Sequence, residues 1–424
     1  MEKNSTSEAI FHDAASDPEA SASAGPSALP TGAPGEPAGA LPTEHPARRG
    51  AAAGGTSDAP LLRQYRGERS SGPDERASVW FMRQAGRSLP EYRKVREGIT
   101  MLDSCVRPEL VAEITVQPVR RHHVDAGIFF SDIVVPAMLA GLDVEIQPGR
   151  GPVFAHPIRT EADIDALPPL GDAFEEALAP IRESVRLTVA ELATTPLIGF
   201  CGAPFTVASY MVEGGPSRDH LRTRALMRDR PELWDRLAAW VAEASGRFLR
   251  AQVLAGASAV QLFDSWVGSL SEEVYRAHVL QHSAAVLAAV SDLPVPRVHF
   301  GVGASHLLGA MHDAGATVMG ADHRIRLDHA IDALGGGVPV QGNIDPAVLF
   351  TGEEARFAEA RAVLERGAAA PGHVVNLGHG VPPETDPQVL TDLVAFLHET
   401  AGAASGTASA PCGTAGAASG GARA

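Results

Sequence analysis

Residues 78–97 read SVWFMRQAGRSLPEYRKVRE, and the order of residue types in this stretch decides how the chain is to be read. A short apolar run from Val79 to Met82 delivers Arg83 to a turn at Gly86, and Arg87, Arg93, Lys94 and Arg96 follow almost at once. A brief apolar segment ending in a cationic loop reads as a buried strand whose carboxyl end carries function. Guanidinium groups offer a planar fork of donors that matches a carboxylate or phosphate, and they keep their charge in a partly dry pocket. In a chain of net charge −16, such a cluster is a local device for gripping anions. Arg93 and Lys94 read better as a solvated basic face. Arg83 and Arg87 directly follow the strand and flank a glycine, where a side chain is aimed rather than left free.

The 424 residues suffice for one large barrel or two ordinary domains, and 45% hydrophobic content allows a sizeable core. The acidic balance argues against a nucleic-acid partner, whose backbone demands a positive footprint. No run approaches the length of uninterrupted apolar residues needed to span a membrane. Cys105, Cys201 and Cys412 are far apart and belong to no CxxC or Cys/His spacing, so no metal site is expected. Isolated thiols fit a reducing compartment, here the cytoplasm.

Residues 1–72 are rich in Ala, Gly, Pro and Ser and lack hydrophobic periodicity, so they are expected to be disordered. Up to Pro60 they carry Glu2, Glu8, Asp13, Asp17, Glu19, Glu36, Glu44 and Asp58 against Lys3, Arg48 and Arg49, the wrong balance for a transit peptide. Residues 403–424 repeat that composition and are expected to dangle. Between these arms, residues 73–402 alternate apolar runs with amphipathic stretches. Strands are expected at 78–84, 125–132, 196–202, 257–264, 296–301, 316–321, 338–343 and 373–377. Helices are expected at 108–123, 174–192, 231–254, 272–290, 305–313, 327–334, 353–365 and 386–399. Eight apolar strands, most of them followed by a helix, predict a single-domain α/β fold, a (β/α)8 TIM barrel, in preference to an open sheet opened by GxGxxG.

Active sites of such barrels lie at the carboxyl ends of the strands, and polar residues gather there. The first strand ends in Arg83 and Arg87, the second in Ser131-Asp132, the third before Tyr210, the fourth in Asp264-Ser265-Trp266, the last in Asn376-Leu377-Gly378-His379-Gly380. Asp132 has apolar residues on both sides, and a carboxylate so placed needs a cation or several donors. It is either a structural pair or a fixed acceptor at the floor of a bowl. Tyr210, ahead of Gly214-Gly215, reads as a ligand-facing donor or a packed ring. Ser265 could bind a ligand or cap the next helix. His379 sits between two glycines with backbone freedom on both sides. Several arginines, an Asp, a Tyr and a His, with no cofactor motif, suit a polyanionic organic substrate that supplies its own electron sink.

FMRQAGRSLPEYRKVR, FSDI, GFCGAPFTVASYMVEGG, LFDSW, QGNIDP and NLGHG, in this order and spacing, closely resemble the uroporphyrinogen decarboxylase family of the haem pathway. The resemblance spans about residues 78–397. It implies a TIM barrel, generally a homodimer with facing clefts, that converts uroporphyrinogen III to coproporphyrinogen III without metal or organic cofactor. It also implies Arg83, Arg87 and Arg96 as contacts to the carboxylates of the tetrapyrrole, and Asp132 as acceptor for its pyrrole N–H groups. Tyr210, Ser265 and His379 match the family's other binding residues, with Asp132, Arg83 and Tyr210 closest to the chemistry. Ser88 and His323 stand where aromatic residues are frequent. A zinc-thiol methyltransferase of the same barrel type would need further ligands beside Cys201.

Overall fold

In a computed structural model, the chain is described over residues 39–69 and 76–404. Among the described residues there are ten strands, named here in chain order. They are β1 (Ser78–Val79), β2 (Gly127–Ile128), β3 (Val144–Gln147), β4 (Gly151–Phe154), β5 (Leu197–Gly202), β6 (Ala259–Asp264), β7 (Arg297–Gly301), β8 (Val318–Gly320), β9 (Val340–Gln341) and β10 (His373–Val375). Strands β3 and β4 form a separate antiparallel hairpin. The other eight are parallel and run in the order β1-β10-β9-β8-β7-β6-β5-β2.

Between β1 and β2 the ring is completed by Asp125. Its amide donates to Val79 O at 2.8 Å, and its carboxylate accepts from Val79 N at 2.8 Å. Arg76 at 2.6 Å and His398 at 2.9 Å hold the same carboxylate. The sheet is therefore a closed cylinder, as the eight apolar runs predict. Every expected strand is present, most of them shorter than the run that signalled it. Beyond Val79 and Ile128 the ladder continues for one bond each, Trp80 N to Val375 O at 3.3 Å and Phe129 N to Ile198 O at 2.9 Å, before the chain enters the loops at the rim.

The helices follow from their first turns and stops. Residues 231–255 form one long helix, Pro231–Ala255, opened by proline and ended at Gly256, whose φ of 137° bars other residues. The expected helix at 174–192 is two, Asp172–Ala177 and Ala179–Leu192, because Pro180 starts a new first turn. The β3–β4 hairpin and the helix Leu221–Asp229 were not expected from periodicity.

The expected disorder of residues 1–72 is corrected for 39–69, while 1–38, 70–72 and 405–424 lie outside the described residues. The helix Pro60–Tyr65 buries Leu61, Leu62 and Tyr65. Tyr65 OH accepts from Trp80 Nε1 at 2.9 Å and donates to Gln341 Oε1 at 2.5 Å; Gln341 Nε2 then reaches Gln261 Oε1 at 3.0 Å. A polar ladder thus crosses the barrel interior with its groups satisfied in sequence. Gln64 Oε1 accepts from His373 N, His45 Nε2 lies 2.9 Å from Val253 O, and Thr56 pairs with Ser258 at 2.8 Å. Composition conceals this segment because its three helical turns, Pro46–Arg48, Ala51–Ala53 and Pro60–Tyr65, are short and the middle one is all alanine between glycines.

Burial keeps two histidines neutral. Desolvation lowers His373 and His122 from 6.5 to about 4. Above 6.5 neither state takes up their protons, whereas below it the unfolded chain does and the fold does not. Stability is therefore expected to fall as pH drops from 6.5 towards 4, which denaturant midpoints across that window would record.

Candidate active site

The bowl is organised by the turn after β1. Met82 N donates to Asn376 Oδ1 at 3.0 Å and Val381 N to Met82 O at 2.8 Å, lacing this turn to the loop after β10. Gln84, fully buried, accepts from Phe81 N and donates to Ala126 O, each at 2.9 Å, tying it to β2 as well. Arg83 stands between these anchors with φ of 60°, a left-handed conformation that costs a non-glycine residue on the order of 1 kcal/mol. The anchors impose it, and the exposed side chain reaches over Gly380. Gln84 and Asn376 are thus positioning residues that the sequence reading passed over, although both lie inside motifs it quoted.

Asp132 is half-buried on the loop after β2, where Val134 N donates to Oδ1 at 3.1 Å. Burial raises its carboxyl above the ordinary range, opposed by the Val134 amide, the Arg83 charge and the Ile133 amide. This places it beside Arg83, where a buried structural carboxylate or a floor acceptor would both stand. Tyr210 lies within the helix Pro204–Glu213, which ends at Gly214, a left-handed cap at φ 79°. Burial and then the Asp132 charge push its phenol up to about 12, against Arg83.

Trp266 stacks on Tyr210 with ring centroids 3.9 Å apart and on His220 at 4.3 Å. Its backbone is fixed by Thr206, whose hydroxyl accepts from Trp266 N at 3.2 Å and donates to the buried Asp264 at 2.7 Å. The sequence reading named Trp266 without giving it a task. Trp266→Ala should free the phenol and lower kcat/KM by about tenfold, with kcat measured against KM to locate the loss.

Ser265 is half-buried and caps nothing, because the next turn, Val267–Ser269, has Trp266 as its N-cap. His379 is exposed at the rim, and its glycines serve close packing rather than freedom. A Cβ on Gly378 would stand 2.1 Å from His323 N, and one on Gly380 2.5 Å from Arg83 Cδ. Arg87 is exposed on the same turn as Arg83.

Arg96 is engaged by its own loop, although its charge, like that of Asp132, acts on the buried Cys105 thiol. Its Nε donates to Ser104 Oγ at 3.0 Å, Nη1 to Tyr92 OH at 2.8 Å and Nη2 to Ile99 O at 2.9 Å, with the guanidinium over the Tyr92 ring. These bonds staple the loop that carries the other arginines. Arg96→Met is expected to cost on the order of 1–3 kcal/mol of stability, read as a lowered Tm. A raised KM without loss of Tm would return Arg96 to substrate binding.

A closed parallel cylinder with a cationic bowl around one carboxylate is a (β/α)8-barrel site for an anionic ligand. A model of the family described as uroporphyrinogen decarboxylase (URO-D) matches residues 56–400. Uroporphyrinogen decarboxylase of Arthrobacter sp. (strain FB24) is 61% identical over 345 residues, 81% of this chain and 98% of the relative. That of Leifsonia xyli subsp. xyli (strain CTCB07) is 56% identical over 377 residues, 85% and 98% of the two chains. A methyltransferase from Methanosarcina mazei shares the fold at TM-score 0.68 with 18% identity, covering 82% of this chain and 99% of its own. The chain belongs to the uroporphyrinogen decarboxylase family. The family match begins at residue 56, so it takes in the helix Pro60–Tyr65 that the motif comparison left out. Cys201 is fully buried and burial pushes its thiol up, the opposite of what a zinc-binding thiolate requires.

Proposed function

We propose that this chain, as a carboxy-lyase of that family, converts uroporphyrinogen III to coproporphyrinogen III by removing its four acetate carboxyls as carbon dioxide. One observation carries the assignment of roles: Arg83 is close enough for its charge to act on Asp132, Tyr210 and His379 together. A single cation shared by an acceptor, a phenol and a rim imidazole suits a substrate that brings carboxylates to the edge and N–H groups to the floor.

In this mechanism a proton adds to a pyrrole ring carbon, and the ring becomes cationic. The bond between the acetate methylene and its carboxylate then breaks, its electrons pass into the ring, and carbon dioxide leaves an exocyclic methylene. A second proton at that carbon gives the methyl, and loss of the ring-carbon proton restores the pyrrole. One proton is consumed per carbon dioxide. Asp132 accepts the pyrrole N–H groups and stabilises the cation in a site poor in water, where fixed charges act most strongly. Arg83 and Arg87 orient the carboxylates, with Tyr210, Ser265 and His379 as further contacts. The pyrrole itself serves as electron sink, and the chain works as a cytoplasmic homodimer.

Anaerobic incubation with uroporphyrinogen III, products resolved by carboxylate number, tests the reading. Accumulation of the four-carboxylate product supports it, and unchanged substrate defeats it. Sedimentation at assay concentration tests the dimer.

A further inference from the structure

Arg83 is not the only cation beside His379. The glycines flanking that imidazole each press on a different basic residue, His323 on one side and Arg83 on the other. His323 Nδ1 also lies 3.4 Å from Gly378 O, which turns its ring along the His379 loop.

The next residue, Arg324, is fixed with more care than a surface arginine needs. Asp322, 2% exposed, accepts from Arg324 N at 3.1 Å and from Arg324 Nη1 at 2.5 Å, while Gly303 N donates to the same carboxylate at 2.6 Å. From the other side Asn343 Nδ2 donates to Asp322 O at 2.9 Å and Ile325 O at 2.6 Å. The turn after β8 is thus pinned from the carboxyl ends of both β7 and β9. Yet the Arg324 side chain remains 52% exposed, and with Nη1 on Asp322 it keeps other donors of its fork for an anion.

Around the buried carboxylate of Asp322 this corner gathers Arg324 and the imidazoles of His323 and His379, with Arg83, whose charge also acts on Asp132, beside Gly380. His379 is lowered by burial first, then by Arg83, and further by His323 and Arg324, against its bond to the Gly380 backbone. An incoming carboxylate would relieve that repulsion.

We propose that His323 and Arg324, together with His379, form a second carboxylate seat on the β8 to β10 side of the bowl, separate from the grip of Arg83 and Arg87. It rests on the reading of the bowl as the site for uroporphyrinogen. A ring bearing acids around its whole edge cannot be oriented from one side alone, and this seat supplies the facing contact. Its occupant is one side-chain carboxylate of the substrate, an acetate or a propionate.

Steady-state kinetics on the full chain tests the seat. Arg324→Gln is expected to raise KM for uroporphyrinogen by about tenfold, equivalent to about 1.4 kcal/mol, with Tm unchanged. The same variant should hold kcat within about twofold, as loss of uniform binding does. Arg324→Lys, which restores the charge without the fork, should recover most of the KM, and His323→Phe should raise it by a smaller factor. A KM effect that persists for the partly decarboxylated intermediates identifies a propionate, and one that fades identifies an acetate. An active wild type whose Arg324→Gln variant keeps its KM overturns the seat, as does a fall in Tm and kcat at constant KM. Wild type that leaves uroporphyrinogen intact overturns instead the decarboxylase reading beneath it.

Discussion

Asp132→Asn is expected to lower kcat/KM for uroporphyrinogen by about 100- to 1,000-fold, the scale lost when one preorganised electrostatic partner is removed. The same variant should be more stable than the parent. Burial raises the Asp132 carboxyl despite the Arg83 charge and two amides, so the ionised form is disfavoured by folding. A group raised in this way stabilises the fold fully below its unfolded value, and that contribution disappears as pH climbs through the raised folded value. Ionising this carboxyl works against the fold, and the neutral isostere removes that cost. Thermal melts and kinetics on one preparation check both halves. Near-parental turnover would remove Asp132 from the mechanism, and a lowered Tm would show that Arg83 needs its partner more than burial opposes it. Lys94→Ala, on the exposed side of the neighbouring helix, is the matched control and should change neither quantity.

Removal of residues 1–69 should abolish soluble folded protein. This reverses what composition suggests, because residues 39–69 fill the barrel's underside rather than trail from it. Leu61 and Leu62 are fully buried and Tyr65 nearly so, and truncating any such side chain costs about 2–5 kcal/mol. Trp80 Nε1 and Gln341 would lose the hydroxyl that joins them. For the three together, about 6–15 kcal/mol, the loss is as large as the whole net stability of an ordinary domain, about 5–15 kcal/mol. Tyr65→Ala tests the same point with one residue and should lower the denaturant midpoint sharply at constant m-value. A soluble truncation with parental activity would show that the eight strands suffice.

The barrel was legible because its strands are apolar on both faces, which leaves eight short hydrophobic runs separated by helices. LIGFCG at 197–202 is buried along its whole length, and its signal is unmistakable. The bowl was legible where a charge follows such a run, as Arg83 and Asp132 do. For Arg96, sequence distance from Arg83 says nothing of where a long side chain turns, and Tyr92, Ile99 and Ser104 hold it locally. The arm at 39–69 was hidden for the converse reason. Its anchoring groups, His45, Thr56 and Tyr65, meet partners some two hundred or more residues away, and no local pattern announces such pairings. Trp266 stood in a motif, but its stacking on Tyr210 depends on the rotation of two separate elements.

Asp125 has a consequence for how the chain comes off the ribosome. The first and second staves of the cylinder are joined through this residue, and its carboxylate is also gripped by Arg76 near the start of the barrel and His398 near its end. A nascent chain can assemble successive strand and helix units as they emerge, but this latch lacks its last finger until the final helix has been translated. The seam between the earliest strands is therefore the last part of the wall to become secure, and stalled chains shorter than that should remain open to protease there.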